Sequence, residues 1–553
     1  MSNATARSKC ILCLWTVLAL AACLRTAAPE GPLAQPSPTL PPAPPSPPSP
    51  PPTSGLEFTL PTPTSSPEGG RLVEGGLGEL ATLDPLLADE AVMGLIFEGL
   101  LAVDPQDGAP IPNLARSWRV SDDGLTVTFE LRDDVLWHDG EPFTAADARF
   151  TFQAVLDLGM KSPRRFALAS VEDFEALGAH TFVVKLSEPG CSALYDLGLL
   201  PIVAHHLGRA AIVGTGPFML EEWVPGDHVT LVRNPRYWRG APRLEAWTYR
   251  AFPDEEALLA ALEEGEVDVA PIRPQDVRRI EGTGRFEVLR YPAAEYYFIA
   301  FNNDHPILGD GRVRRALSLT LDRRRLLEEV LAGQGTLLGV GLLPGHWASR
   351  ADVRPPDYDS ARARQLLAQA GWADSDGDGF LDREGEPLRL SLSTNLGNEV
   401  REAIAVLVGQ YYRAVGVAAQ VELVEWGNLL GRLFEHRFDA AVLSWPLKLD
   451  PDQRLLWHST EDTPGSGFNF VSYHNSLADA LLEEGAVVPG CDRRRRAEVY
   501  GRLWAILARD RPYDFLFAPD ELIAVNRRLV GPAPSPFAGP YWNANEWYMA
   551  PSP

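Results

Sequence analysis

Between residues 388 and 443 the chain alternates strand and helix, and no other feature narrows its fold as far. Leu388 to Leu392 reads as a strand, Glu399 to Val415 as a helix stopped by Gly416, and Val421 to Val424 as a strand; Asn428 to Phe434 then reads as a helix and Asp439 to Leu443 as a strand. Strands that alternate with helices predict an α/β lobe with a largely parallel sheet. Elsewhere, Thr126 to Arg132 alternates like a half-buried strand, Phe182 to Leu186 reads as another, and Thr144 caps a helix from Ala145 to Leu156. Asp359 is a good N-cap for a helix ending at Ala370-Gly371, and Asp492 for one running towards Ala508. The arginines Arg493 to Arg496 at the start of that last helix read as a solvated face balancing an acidic surface.

The balance of 50 basic against 74 acidic residues gives a formal net charge of -24, which repels phosphate backbones and anionic lipid surfaces. A nucleic-acid partner is therefore excluded from the expectation. No short-period repeat is evident, and beyond Gly70 no apolar run approaches the length of a transmembrane helix.

The N-terminus reads as an address. Arg7 and Lys9 precede the apolar run Ile11 to Ala22, which is too short for a stable span but fits a secretory signal. The run ends Leu20-Ala21-Ala22-Cys23, which resembles the bacterial lipobox, so that resemblance implies a lipid-modified Cys23 as the first residue of the mature chain. From Pro29 to Pro67, proline with Ser, Thr and Ala dominates; such a run favours extended polyproline II at about 3.1 Å per residue and reads as a spacer. Cleavage removes Cys10 and Cys13. Cys191 and Cys491 then remain; they could pair in an oxidising compartment, but two lone cysteines give no framework to read, and the default for both is a small core residue.

Several segments occur in a fixed order. Leu114-Ala115-Arg116-Ser117-Trp118 is followed by Ser121-Asp122-Asp123-Gly124-Leu125-Thr126, then by Trp137-His138-Asp139-Gly140-Glu141-Pro142-Phe143-Thr144-Ala145 with Asp147. Further on come Gly214-Thr215-Gly216-Pro217-Phe218, Asn234-Pro235-Arg236-Tyr237-Trp238, Gly265-Glu266-Val267-Asp268, Arg312-Val313-Arg314-Arg315-Ala316-Leu317 and Ala370-Gly371-Trp372. Together they resemble the extracytoplasmic solute-binding proteins of peptide and nickel importers, from about residue 72 to the end. Physically most of these residues are scaffold: Gly and Pro set turns, Asp122-Asp123-Gly124 is a hairpin turn, and Trp118 and Trp238 are expected in the core.

The resemblance implies an α/β, two-lobed clamshell fold with mixed sheets and an extra subdomain in the first lobe. It also implies residues 1–22 as signal, 23–69 as tether, 70–297 as lobe 1 with a subdomain at about 103–210, 298–517 as lobe 2, and 518–553 returning to lobe 1. Tyr296 to Phe301 and Asp514 to Phe517 look like the strands that cross between lobes. The implied role is an anchored extracytoplasmic monomer that closes on a small solute, a peptide, oligosaccharide or metal chelate, and delivers it to the permease subunits of an ABC importer.

Trp445 matches the tryptophan that such proteins place in the cleft, and it ends a predicted strand, where open α/β sheets put their binding crevice. Peptide-binding relatives carry an aspartate three residues later for the peptide ammonium; here that residue is Lys448. A cation there opposes an ammonium, so either Asp450 takes over the role, or the solute is neutral or anionic, or Lys448 simply faces solvent. Asn469, within Phe468-Asn469-Phe470, and Tyr296 beside a crossing complete the resemblance-based candidates for the cleft.

Asp374, Asp376, Asp378 and Asp382 have the spacing of a calcium loop, but Gly385 stands where the terminal bidentate acid belongs, so a polar helix-to-strand connection is the default and structural Ca2+ the alternative. No His-Glu-x-x-His pair, Gly-x-Ser-x-Gly elbow or Gly-Lys-Ser/Thr phosphate loop is present, so a non-enzyme is expected. A secreted, anchored hydrolase of peptides or glycosides is the rival from another class.

Overall fold

A computed structural model describes residues 69–88, 91–208 and 211–551. The signal, most of the tether and Cys23 lie outside the described residues.

The alternation around residue 400 folds as its pattern dictates, with parallel strands Arg389–Asn395 and Ala418–Val424 in register from Arg389 opposite Ala418 to Asn395 opposite Val424. Ala440–Pro446 pairs parallel with the first of them on its other edge. The helix Glu399–Arg413 is capped by Asn398, whose side chain accepts from the Arg401 N–H, and Trp426–Phe434 is capped by Glu425, which accepts from the N–H groups of Gly427 and Asn428. The third strand runs through Trp445, three residues beyond its predicted end, because it continues to pair antiparallel with Glu295–Phe301. The caps read at Thr144, Asp359 and Asp492 are all in place, Thr144 as part of a capping box with Asp147.

Those strands form one end of a twelve-stranded mixed sheet among the described residues. The order continues from Ala440–Pro446 through Glu295–Phe301, Tyr513–Asn526, Val269–Pro271, Arg71–Leu77, Ala246–Phe252 and His228–Arg233 to Phe218–Val224. Buried side chains divide along it. One cluster runs from Leu72 to Val269 and resumes from Ile523 to Met549; two others lie between Tyr296 and Ala518. Along Glu295–Phe301 the even positions Tyr296, Phe298 and Ala300 enter one of these and the odd positions Tyr297, Ile299 and Phe301 the other. A strand buried on both faces reads as an unbroken apolar run, which is how this one appears in the sequence.

The link between the two ends is the 14-residue strand Tyr513–Asn526. Its first part pairs with Glu295–Phe301 and its second with Phe286–Pro292, both antiparallel. Passage from one set of cores to the other thus occurs at Ala293-Ala294 and near Ala518 to Asp520. Tyr296 to Phe301 itself lies wholly within the second set, one step past the crossing, and a β-bulge opposite Tyr297/Phe298 bends the pair there.

A four-stranded antiparallel sheet, in the order Ala115–Val120, Thr126–Leu131, Thr181–Leu186 and Val171–Leu177, packs with helix Ala145–Leu156 onto the first core. The glycine-rich and aromatic motifs meet here. Buried Glu98 accepts hydrogen bonds from Thr215 Oγ1 at 2.9 Å, Tyr237 OH at 3.1 Å and Trp238 Nε1 at 3.0 Å. Trp238 packs half-buried against the first core and is also anchored through its indole N–H, flanked by the guanidiniums of Arg132 and Arg239 at 4.2 and 4.5 Å from its ring.

Cys191 and Cys491 are not separate core residues. They form a disulfide with Cα atoms 5.5 Å apart, although 300 positions separate them in sequence. Spacing could not show this, because the fold alone brings the segment before helix Ala193–Gly198 against the turn before helix Arg493–Asp510. Among the described residues no helix is long and apolar enough to cross a membrane.

Candidate functional site

The C-terminal ends of the parallel strands Arg389–Asn395, Ala418–Val424 and Ala440–Pro446 lie side by side, and two helices start immediately after the first two. Strand ends so arranged leave a crevice lined by loop residues and helix first turns. Arg401, in the first turn of its helix, reaches across them: its Nη1 donates to Asn395 Oδ1 at 2.8 Å, and its Nη2 to Ser444 Oγ. Its guanidinium lies 5.4 Å from the Trp426 ring centroid, and its buried Nε has no hydrogen-bond partner among the described residues. Leu396 beside it is 61% exposed, an apolar side chain left open at the strand end.

Trp445 follows Ser444. It is half-buried, stacked near Phe298 at 6.5 Å, tilted against Phe470 at 6.2 Å, and donates from Nε1 to Tyr513 OH at 3.3 Å. Three residues on, Lys448 is exposed. Its charge is felt by Asp196, on helix Ala193–Gly198 of the opposing body, whose carboxyl is pushed up to about 6 by loss of solvation and by Asp450, with Lys448 opposing the rise. Asp196 remains open to water on one side. A carboxyl crowded by protein yet reachable by water is the kind of group that binding sites carry. Glu521 behaves alike at the strand crossing: exposed, yet raised by partial desolvation and by the charge of Glu295.

Three nominated residues are not available at this rim. Asp450 is buried and pairs with Arg496, Oδ2 to Nη1 at 2.7 Å and Oδ1 to Nη2 at 2.8 Å, so its oxygens are committed within the protein. The same pair corrects the reading of the arginine cluster: Arg493, Arg494 and Arg495 are exposed, but Arg496 is interior. Asn469 is fully buried and folds its own turn, accepting from the Tyr473 N–H at 3.0 Å and donating to the Tyr473 carbonyl at 2.8 Å. Tyr296 is 1% exposed, packed against Phe298 and Phe515. Tyr296 is interior because its strand sends alternate residues into two packed cores, and Asn469 because the whole turn from 469 to 473 is buried.

Conversely, no sequence motif marks Arg401, Asn395, Ser444, Asp196, Glu295 or Glu521. Asn395 and Arg401 had a usable signal, the end of a predicted strand and the first turn of the next helix. Asp196 had none, since only tertiary packing brings it within the influence of the Lys448 charge.

The acidic loop lies elsewhere, between helix Ser360–Gln369 and the strand Arg389–Asn395. Carboxylate oxygens of Asp374, Asp376 and Asp378 lie within 4.8 Å of one another, all exposed. They also cap backbone: Asp374 accepts from Gly377 and Gly379 N–H, Asp376 from Asp378 N–H, and Asp378 from Phe380 N–H. Asp382 is bound instead by the Ser375 N–H and hydroxyl, each at 2.8 Å. Glu384 and Gly385, both at positive φ, turn the hairpin that pairs Asp382–Arg383 with Glu386–Pro387. The twelfth loop position thus serves a tight turn and offers no bidentate oxygen pair of the kind a calcium loop places there.

The sequence pattern described as "Bacterial extracellular solute-binding proteins, family 5 Middle" matches residues 109–467. The chain is 30% identical over 508 residues to the oligopeptide-binding protein AppA of Bacillus subtilis, covering 87% of this chain and 92% of that one. It is 27% identical over 468 residues to the probable di/tripeptide-binding protein 5 of Pseudomonas aeruginosa, covering 78% and 84%. The solved structure of the Bacillus subtilis protein with a nonapeptide superposes at a TM-score of 0.63 over 88% of this chain and 99% of that one. That of NikZ from Campylobacter jejuni with Ni(L-His) gives 0.65 at 25% identity, over 87% and 99%. The periplasmic murein tripeptide-binding protein MppA in its unliganded open form shares the fold at 0.75 and 23% identity, over 87% and 97%. With two bodies joined by paired crossing strands and a rim at the strand ends, the chain belongs to the family 5 bacterial extracellular solute-binding proteins.

Proposed function

We propose that this protein is a lipid-anchored extracytoplasmic receptor that captures a peptide-like solute between two lobes and hands it to the permease of an ABC importer. Residues 70–293 with those beyond the crossing at Ala518 to Asp520 form one lobe, and the residues between the two crossings form the other. Residues 1–22 are the removed signal, Cys23 carries the lipid, and the proline-rich segment to residue 69 holds a monomeric body clear of the membrane. The oligopeptide-binding relative supports the solute class.

The observation that carries this reading is the set of groups left at the strand ends and the crossing: Trp445, Leu396 and Arg401, with the Glu295 charge acting on Arg401, Glu521 beside Glu295, and Asp196 within the influence of Lys448. Contacts made to both lobes only when they approach supply the free energy of closure. Because Asp450 is held by Arg496, it does not replace the aspartate that Lys448 displaces. A peptide ammonium therefore meets Asp196, Glu295 or Glu521, and the carboxylate meets Arg401. The cations Lys448 and Arg401 favour a second reading, an anionic metal chelate. The similarity to solute-binding proteins favours a receptor over the hydrolase alternative.

Mass spectrometry of what co-purifies identifies the solute. Calorimetry with wild type and Lys448→Asp then measures its affinity, and scattering with and without it measures closure. Tighter binding of free-N-terminus peptides by Lys448→Asp is the expected outcome. Scattering that stays the same on saturation overturns the clamshell, and turnover of the bound peptide overturns the receptor.

A further inference from the structure

Two strands join the lobes of a clamshell at its hinge; here the lobes are also joined covalently away from it. Cys191 leads into helix Ala193–Gly198, whose Ala193, Leu194 and Leu197 belong to the first core. Cys491 leads into helix Arg493–Asp510, whose Val499, Tyr500, Leu503 and Trp504 belong to the second. The Cys191–Cys491 disulfide therefore spans the two lobes, and neither cysteine lies on a crossing strand.

The bond sits in a seam of other contacts between the same two bodies. The Cys191 N–H donates to the Ala486 carbonyl at 2.9 Å. The Trp347 N–H donates to the Asp107 carbonyl at 2.9 Å, and Trp347 Nε1 to Tyr195 OH at 2.9 Å. Arg493 forms an ion pair with Asp107. Each of these can exchange its partner for water and re-form as lobes part. A disulfide cannot: it holds its two Cα atoms within about 4.4–6.8 Å in any conformation.

We infer that Cys191–Cys491 is an interlobe strap that caps how far the crevice opens and confines lobe motion to rotation about an axis near the bond. The inference rests on the two-lobed receptor reading. In an extracytoplasmic compartment the strap is permanent, since oxidising surroundings maintain disulfides. A dithiol reductant opens it by delivering two electrons and two protons, leaving two thiols and the oxidised reductant. Cys191 is buried but Cys491 is half-exposed, which gives the attacking thiolate a route to the bond.

Hydrogen exchange read by mass spectrometry tests this on the intact, solute-free protein, comparing oxidised wild type, dithiothreitol-treated wild type and Cys191→Ser/Cys491→Ser. The strap predicts about tenfold or faster exchange in residues 104–109, 187–196, 343–350 and 484–497 once the bond is gone, with residues 246–252 and 389–395 unchanged. Unchanged exchange in the seam overturns it, and so does an equal rise everywhere, which marks a bond that only stabilises the fold. The reduced wild type answers the question even where the double variant folds poorly. Failure here is separable from failure of the receptor reading: a peptide mixture of three to nine residues that alters the scattering of the reduced protein leaves the clamshell standing without its strap.

Discussion

At the scale of single residues, buried charge separates the groups that hold the fold from those open to a solute. The Asp450–Arg496 pair is interior, with side chains 7% and 4% exposed. Removing one member strands the other, at a cost of about 3–5 kcal/mol, whereas apolar replacement of both is commonly near neutral. Asp450→Ala is thus expected to lower unfolding free energy by that amount in urea titrations, and Asp450→Leu/Arg496→Met by much less; equal losses would refute a paired role. Glu74 makes a pH-dependent counterpart. It is buried against Trp247 Nε1 at 2.8 Å and Tyr541 OH, and burial pushes its carboxyl up to about 7, with those two hydrogen bonds opposing. With its folded pKa above the unfolded value, the native state binds the extra proton between about pH 4.5 and 7, so stability falls as pH rises through that window. The loss is roughly 3 kcal/mol by pH 8, from about 1.4 kcal/mol per pKa unit. Glu74→Gln should flatten the difference between urea midpoints at pH 5 and pH 8, and an undiminished difference would assign it to other groups.

Elements are positioned by close backbone approach as much as by propensity. In Gly214-Thr215-Gly216, a Cβ on Gly214 would stand 1.8 Å from the Ile96 carbonyl oxygen, and one on Gly216 would stand 2.6 Å from that of Leu95. The motif is glycine-rich so that its loop can lie on the Leu95–Glu98 turn and deliver Thr215 to Glu98. Gly214→Ala is expected to cost well over the ~1 kcal/mol of an average substitution, read as a large fall in soluble yield and melting temperature. A near-native melt would show that the loop can move aside. For the acidic connection, the self-capping carboxylates and the hairpin at Glu384-Gly385 predict that EGTA leaves the melting temperature unchanged. A drop restored by calcium, and absent in Asp376→Asn, would make the loop a metal site.

For the whole molecule, the strap and the crossing strands divide two jobs. The crossings permit rotation, because antiparallel pairing continues on either side of a bulge and a two-residue break. The disulfide closes a loop of 300 residues, at the large end of chain-entropy effects, so reducing it should lower stability by about 2–5 kcal/mol. Urea unfolding with and without dithiothreitol measures this, and a shift within error would mean that the denatured chain gains little freedom when the bond is cut.

Short-range chemistry is what the sequence determined. Helix caps at Thr144, Asp359 and Asp492, the strand–helix alternation from residue 388, the hairpin turn at Asp122-Asp123-Gly124 and the ordered motifs all depend on neighbours within a few residues, and they set the α/β class and the family. Partners distant in the chain were decided only by tertiary structure. Asp450 and Arg496, 46 positions apart, became an ion pair instead of a ligand site, Cys191 found Cys491, Tyr296 and Asn469 went inside, and Asp196 came within the influence of the Lys448 charge. The physical reason is that a charge, thiol or amide carries no local mark of its mate; that choice is made when the cores pack and fix which surfaces touch.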